Sequence, residues 1–106
     1  MSNWFAYNGG ESIGKTGAEG GVILCDEAHK HGGRMTLKRG KNFISVSCHI
    51  YGWLDHTRFF NVLTEAQREY VMMRGVLGSI MDESLSADAS NIKMWEAIAG
   101  FVRRFP

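Results

Sequence analysis

Proline is almost missing from this chain: the only one, Pro106, is the final residue. With no stretch rich in proline or serine, nothing marks a linker, and a single domain spanning residues 1–106 is expected. Cysteine is scarce too. Cys25 and Cys48 are too few for a disulfide framework, and both sit in apolar runs, so they read as buried free thiols in a reducing compartment. Charge of one sign is also lacking. Twelve Lys and Arg against eleven Asp and Glu leave a formal charge of +1, which counts against bulk attraction to nucleic acid or anionic lipid. No run approaches the roughly 18 apolar residues that span a bilayer, so no membrane partner is expected. The opening Met1-Ser2-Asn3-Trp4-Phe5-Ala6-Tyr7 has neither the basic region nor the apolar run of an export signal, and a cytoplasmic location is the expectation.

What is present is enough to fold. Hydrophobic residues make up 44% and charged residues 22%, with aromatics at 11%. A chain of this length buries roughly two-thirds of its unfolded surface, which makes metal or disulfide staples unnecessary. The composition changes near residue 62. Most of the thirteen glycines and the β-branched runs precede it; helix formers and methionines follow. Strands first and helices last indicate an α+β fold rather than alternating βαβ units.

The expected architecture has two layers: an antiparallel meander of four or five strands over residues 3–60, and two antiparallel helices near 64–82 and 90–105. Trp4–Tyr7 is a short edge strand. Residues 8–21, with six glycines, are a turn-rich loop. Val22–Cys25 is a short strand, followed by a polar connection over Asp26–Gly33. Arg34–Arg39 alternates, with Met35 and Leu37 on one face and Arg34, Thr36 and Lys38 on the other. Gly40-Lys41-Asn42 is a hairpin turn, and Phe43–Tyr51 is the clearest strand. Its Ile44, Val46, Cys48 and Ile50 oppose Ser45, Ser47, His49 and Tyr51. Gly52 marks a bend, and Trp53–Phe60 continues as the last strand.

Thr64-Glu65-Ala66-Gln67 has the form of a capping box and predicts a helix start. Leu63, Ala66, Tyr70, Met73, Leu77 and Ile80 then share one helical face. Gly75 and Gly78 suggest close approach by a neighbouring backbone. Met94, Trp95, Ile98, Phe101, Val102 and Phe105 are expected on one stripe of the second helix. The predicted core contains Val22, Leu24, Met35, Leu37, Ile44, Val46, Ile50, Tyr70, Leu77, Ile98 and Phe101, with Ile23 as the substitute for Val22 and Leu24 if the short strand shifts register.

Gly9-Gly10-Glu11-Ser12-Ile13-Gly14-Lys15-Thr16 matches the phosphate-loop pattern, in which glycine amides wrap phosphates, the lysine pairs with them and the threonine binds Mg²⁺. That mechanism needs a helix directly after the loop. Gly17-Ala18-Glu19-Gly20-Gly21 is a poor helix start, so Gly9, Gly14, Lys15 and Thr16 form at most an alternative small-anion or nucleotide site. His29 and His31 are weak candidates for metal: two ligands do not close a zinc site, and Lys30 between them repels a cation. A metal-dependent activity of His29, His31 and His49 is a further alternative.

Arg34, Lys38, Ser45, Ser47, His49 and Tyr51 together make a polar sheet face suited to a small anion or a partner, although the solvent side of a sheet is ordinarily polar. Arg34, Lys38, Arg39 and Lys41 gather around one hairpin, with Tyr51, Trp53, Phe59 and Phe60 nearby. Ser45 or Ser47 beside His49 has no orienting carboxylate, so no catalytic residue is assigned, enzymatic activity is not favoured, and no cofactor is expected. The surplus apolar residues Val71, Met72 and Val76 point to self-association. The expected function is therefore a non-catalytic binding module, partnered by a second copy (a homodimer) or by another protein.

Overall fold

The computed structural model describes residues 2–17, 20–84 and 91–106. Strands β1 (Trp4–Ala6), β2 (Val22–His29), β3 (Gly33–Arg39), β4 (Ile44–Ile50) and β5 (Leu54–Phe60) form one sheet in sequence order, and every neighbouring pair is antiparallel. Helices α1 (Leu63–Ser84) and α2 (Asn91–Arg104) follow. The expected α+β meander with two trailing helices is the observed fold.

Strand alternation decides which side the helices cover. Met35 and Leu37 of β3 and Val46, Cys48 and Ile50 of β4 are essentially inaccessible. They meet Ala66, Tyr70, Met73, Leu77 and Met81 of α1 and Met94, Ile98 and Phe101 of α2, together with Phe105. The apolar stripe of α1 ends on Met81, with Ile80 only partly buried. Polar contacts fasten the helical layer at both margins of this inner face. On the β2 side, Glu27 accepts from the Tyr70 hydroxyl at 2.9 Å and from Arg74 Nε at 3.0 Å. On the β5 side, Arg58 pairs with Glu69 at 2.9 Å, and His56 Nε2 donates to the Phe105 carbonyl at 2.7 Å.

Several local expectations are corrected. The segment Asp26–His29 is strand, not connection: β2 runs the full Val22–His29. Its polar residues fit a strand because each meets a partner, Glu27 on the inner side and Asp26 on the outer. A register shift between Ile23 and Cys25 explains the core assignment. The shift sets Ile23 opposite Lys38 on the outer face, where it is buried beside the Gly14–Lys15 turn, and it leaves Val22 exposed and Leu24 partly buried. Helix α1 starts before the Thr64–Gln67 box. Leu63 packs on the core, and the Ala66 amide donates to the Val62 carbonyl, so Thr64 lies within the first turn. The two helical glycines also differ. A Cβ at Gly78 would stand 2.7 Å from Trp4 Nε1, whereas one at Gly75 would meet nothing within 4 Å. Close approach holds for Gly78 alone, and there the neighbour is the Trp4 side chain rather than a backbone. Of the expected Asp82–Ser90 connection, Asp82–Ser84 belongs to α1 and residues 85–90 lie outside the described residues.

Candidate ligand cleft on the outer sheet face

The outer face is organised by the two hairpin turns, which bring residues into cross-strand rows. One row reads Ile23, Lys38, Ser45, Phe59; the next Asp26, Thr36, Ser47, Thr57; the third Ala28, Arg34, His49, Asp55. The glycine-rich loop folds over the β2–β3 part of this face. It is tied down by the Gly14 amide on the Ile23 carbonyl (2.8 Å) and the Ile23 amide on the Lys15 carbonyl (2.9 Å). Tyr7 caps the Arg34 guanidinium at 3.6 Å from the ring centre.

Beneath that cover lies a charge the sequence reading left in a polar connection. The Asp26 side chain is fully buried. It accepts from Arg34 Nε at 2.9 Å, from Arg34 Nη2 at 2.8 Å and from the Thr36 hydroxyl at 3.2 Å. Burial alone would raise its pKa, but the Arg34 fork and the neighbouring hydroxyls outweigh this and hold it below the ordinary carboxylate value. Arg34 is thus committed to structure.

The β4–β5 part remains uncovered, and here a cleft of about 180 Å³ opens between Lys38, Phe43, Ser45, Thr57 and Phe59. Its walls are well fixed. The Phe43 ring sits where Gly40 and Gly21 have no side chain, so a Cβ at either would collide with or crowd it. Phe59 stands edge-on to Phe43, ring centres 6.3 Å apart, and is 69% exposed. The stem of Lys38 runs against Gly17, where a Cβ would meet its Cδ at 2.8 Å. On the central strand, between Lys38 and Phe59, Ser45 is 2% exposed, and its hydroxyl has no hydrogen-bond partner among the described residues. A buried hydroxyl without a partner is costly, so this one is a specific feature to explain.

The six expected ligand residues therefore separate. Lys38 and Ser45 share the cleft. Arg34 is paired with Asp26. Ser47 is hydrogen-bonded to Thr57 at 3.0 Å. His49 is exposed at the far end of the face, beside a shallower depression with Gly52 and Asp55. Tyr51 is not on the strand at all: the chain turns at 51–53, with Gly52 at φ 79°, and Tyr51 is 84% exposed. Phe43 and Thr57 were not singled out as ligand residues, and Phe59 only as one of four aromatics near the basic hairpin. Counting the alternation of β5 through the second turn would have found Thr57 and Phe59 on the Ser45 face.

The phosphate-loop segment is a series of turns. The Glu11, Ile13, Gly14 and Lys15 amides donate to the Asn8, Gly10, Ile23 and Ser12 carbonyls, so they do not converge on an anion. Thr16 bridges to Val22 instead of opening a helix. On the inner face His29 is buried, 3.0 Å from Asp82 and edge-on to Trp4 at 5.0 Å. Burial lowers its pKa and prevails over the Asp82 carboxylate, which pulls the other way. His31 lies 5.4 Å from it, ring to ring, and no cluster of three ligating side chains suited to a metal occurs among the described residues. Cys25 and Cys48 are both free and flank β3 on the inner face. They stand two strands apart and in different rows, opposite Leu37 and Met35, so more than two strand spacings, roughly 9–10 Å, separate them, well beyond disulfide reach. Burial pushes the Cys48 thiol up to about 12. No helix among the described residues is long and apolar enough to cross a membrane. Compared with known proteins, the chain matches no family model, no curated protein and no solved structure.

Proposed function

We infer that this protein is a non-catalytic binding module whose ligand contacts the uncovered part of the outer sheet face. The observation that carries the reading is the buried Ser45 hydroxyl, without a partner among the described residues, in a cleft walled by a lysine and two phenylalanines. The charged groups elsewhere on this face support the same reading. Asp26 and Arg34 neutralise each other under the loop, which leaves Lys38 to set the sign of the cleft.

The test is a fragment panel read by amide chemical shifts on the labelled protein. Shifts confined to Lys38, Ser45, Thr57 and Phe59 are expected; a panel that moves none of them refutes the reading. Self-association belongs to the same proposal and draws on a different surface. Val71 and Met72 of α1 and Ile92 and Trp95 of α2 are 67%, 40%, 70% and 52% exposed. A homodimer joined through the helical layer would cover such side chains. Sedimentation should give twice the mass of 11.9 kDa, and a concentration-independent monomer would refute it.

A further inference from the structure

Resting on that reading of the cleft, we propose that its ligand class is a free small molecule built of one flat ring and one anionic group, of which a nucleoside monophosphate is the simplest probe. Three features define the class. Phe59 offers an exposed ring face, and Phe43, held edge-on beside it, gives that face a fixed neighbour. Aromatic rings hold flat rings by stacking, and every base has such a face. Lys38 stands directly across Ser45 from Phe59. It forms no ion pair among the described residues, and neither do Arg39 and Lys41 of the adjoining turn, so an anion there is uncontested. The Ser45 hydroxyl lies on the strand between them, where a polar edge of the bound ring would give it the partner it lacks among the described residues.

Size and charge narrow the class further. About 180 Å³ admits one ring system and little more. The formal charge of +1 argues against a long polyanion, whose binding relies on many neutralised phosphates. The free ligand is therefore favoured over a single strand, although both present the same ring and phosphate.

The experiment titrates the full chain with thymidine monophosphate, thymidine, inorganic phosphate and an oligothymidylate, following the amides of Lys38, Ser45 and Phe59. Thymidine monophosphate should shift all three, and thymidine and phosphate alone should bind about tenfold more weakly or worse, since each keeps half of the contacts. Phe59→Ala and Lys38→Gln, both at accessible side chains and checked by unchanged circular dichroism, should each weaken binding by about tenfold. Equal affinity for thymidine and its monophosphate would overturn the anionic half, and insensitivity to Phe59→Ala the stacking half. An oligothymidylate that binds far more tightly than the monophosphate, with steep salt dependence, would overturn the free-ligand assignment. If none of these probes shifts the face while other fragments do, the ring-and-anion class fails and the cleft reading stands. If no ligand of any kind shifts it, both fail.

Discussion

Replacing Arg34 by methionine should destabilise the fold by about 2–3 kcal/mol, below the full range for a wholly buried pair that loses one member, since Arg34 itself is 38% exposed. The reason is what remains. Without the guanidinium, the fully buried Asp26 carboxylate keeps only neutral hydroxyls among its described side-chain partners, Thr36 at 3.2 Å and Ser12. Tyr7 also loses the cation it covers. Urea unfolding of the single variant and of Asp26→Leu with Arg34→Met separates the causes. The double change should recover most of the loss, because it removes the stranded charge along with its partner. Acid provides a second check. Asp26 titrates below the ordinary carboxylate value in the folded chain, so its contribution is complete above about pH 4 and is lost as pH falls toward the folded value. In Arg34→Met, burial is opposed by hydroxyls alone and the folded pKa rises. The deficit of the variant should therefore shrink between pH 7 and pH 4. A deficit that is constant over that interval would contradict the stranded-charge account.

Phe101→Ala should cost about 3–5 kcal/mol, as a large ring removed from a packed interior leaves a cavity its surroundings refill only partly. Phe101 is 1% exposed, lies 5.0 Å from the Phe105 ring, and belongs to the cluster that joins α2 to the sheet. Against a total stability of about 5–15 kcal/mol for a typical domain, such a loss is enough to populate the unfolded state near physiological temperature. Phe59→Ala is the natural control, since its ring is mostly in solvent and its removal creates no internal void. A denaturation midpoint for Phe101→Ala equal to that control would mean that α2 contributes little to the core.

The layer order was legible because periodicity is a strong signal where one face is buried. β3 and β4 alternate cleanly, and α1 repeats its apolar positions over five turns. β2 was half missed for the opposite reason. A bulge breaks its alternation after Ile23, and three polar residues, Asp26, Glu27 and His29, sit where an isolated strand would carry apolar ones. Their partners, Arg34, Arg74 and Asp82, come from other elements, so local sequence gives no hint that these charges are satisfied. Lys38 and Ser45 were legible as neighbours on a polar face. The cleft itself was not, because the wall formed by Phe43 depends on missing side chains at Gly21 and Gly40, two segments remote from β5. The resemblance of residues 9–16 to a phosphate loop shows the converse: the right residues occur, but their amides are spent on turns and on β2.

Trp4 ties the chain to itself across a separation of seventy residues, its indole donating to the Arg74 carbonyl at 3.2 Å over the gap left by Gly78. That bond has a timetable. At a synthesis rate of about 5–20 residues per second, the ribosome completes the docking surface of Trp4 some 4–14 s after Trp4 itself. The first strand made is thus among the last to be secured, and until α1 emerges that edge is held by the three residue pairings of β1 with β2 and by contacts within the sheet such as Tyr7 on Arg34.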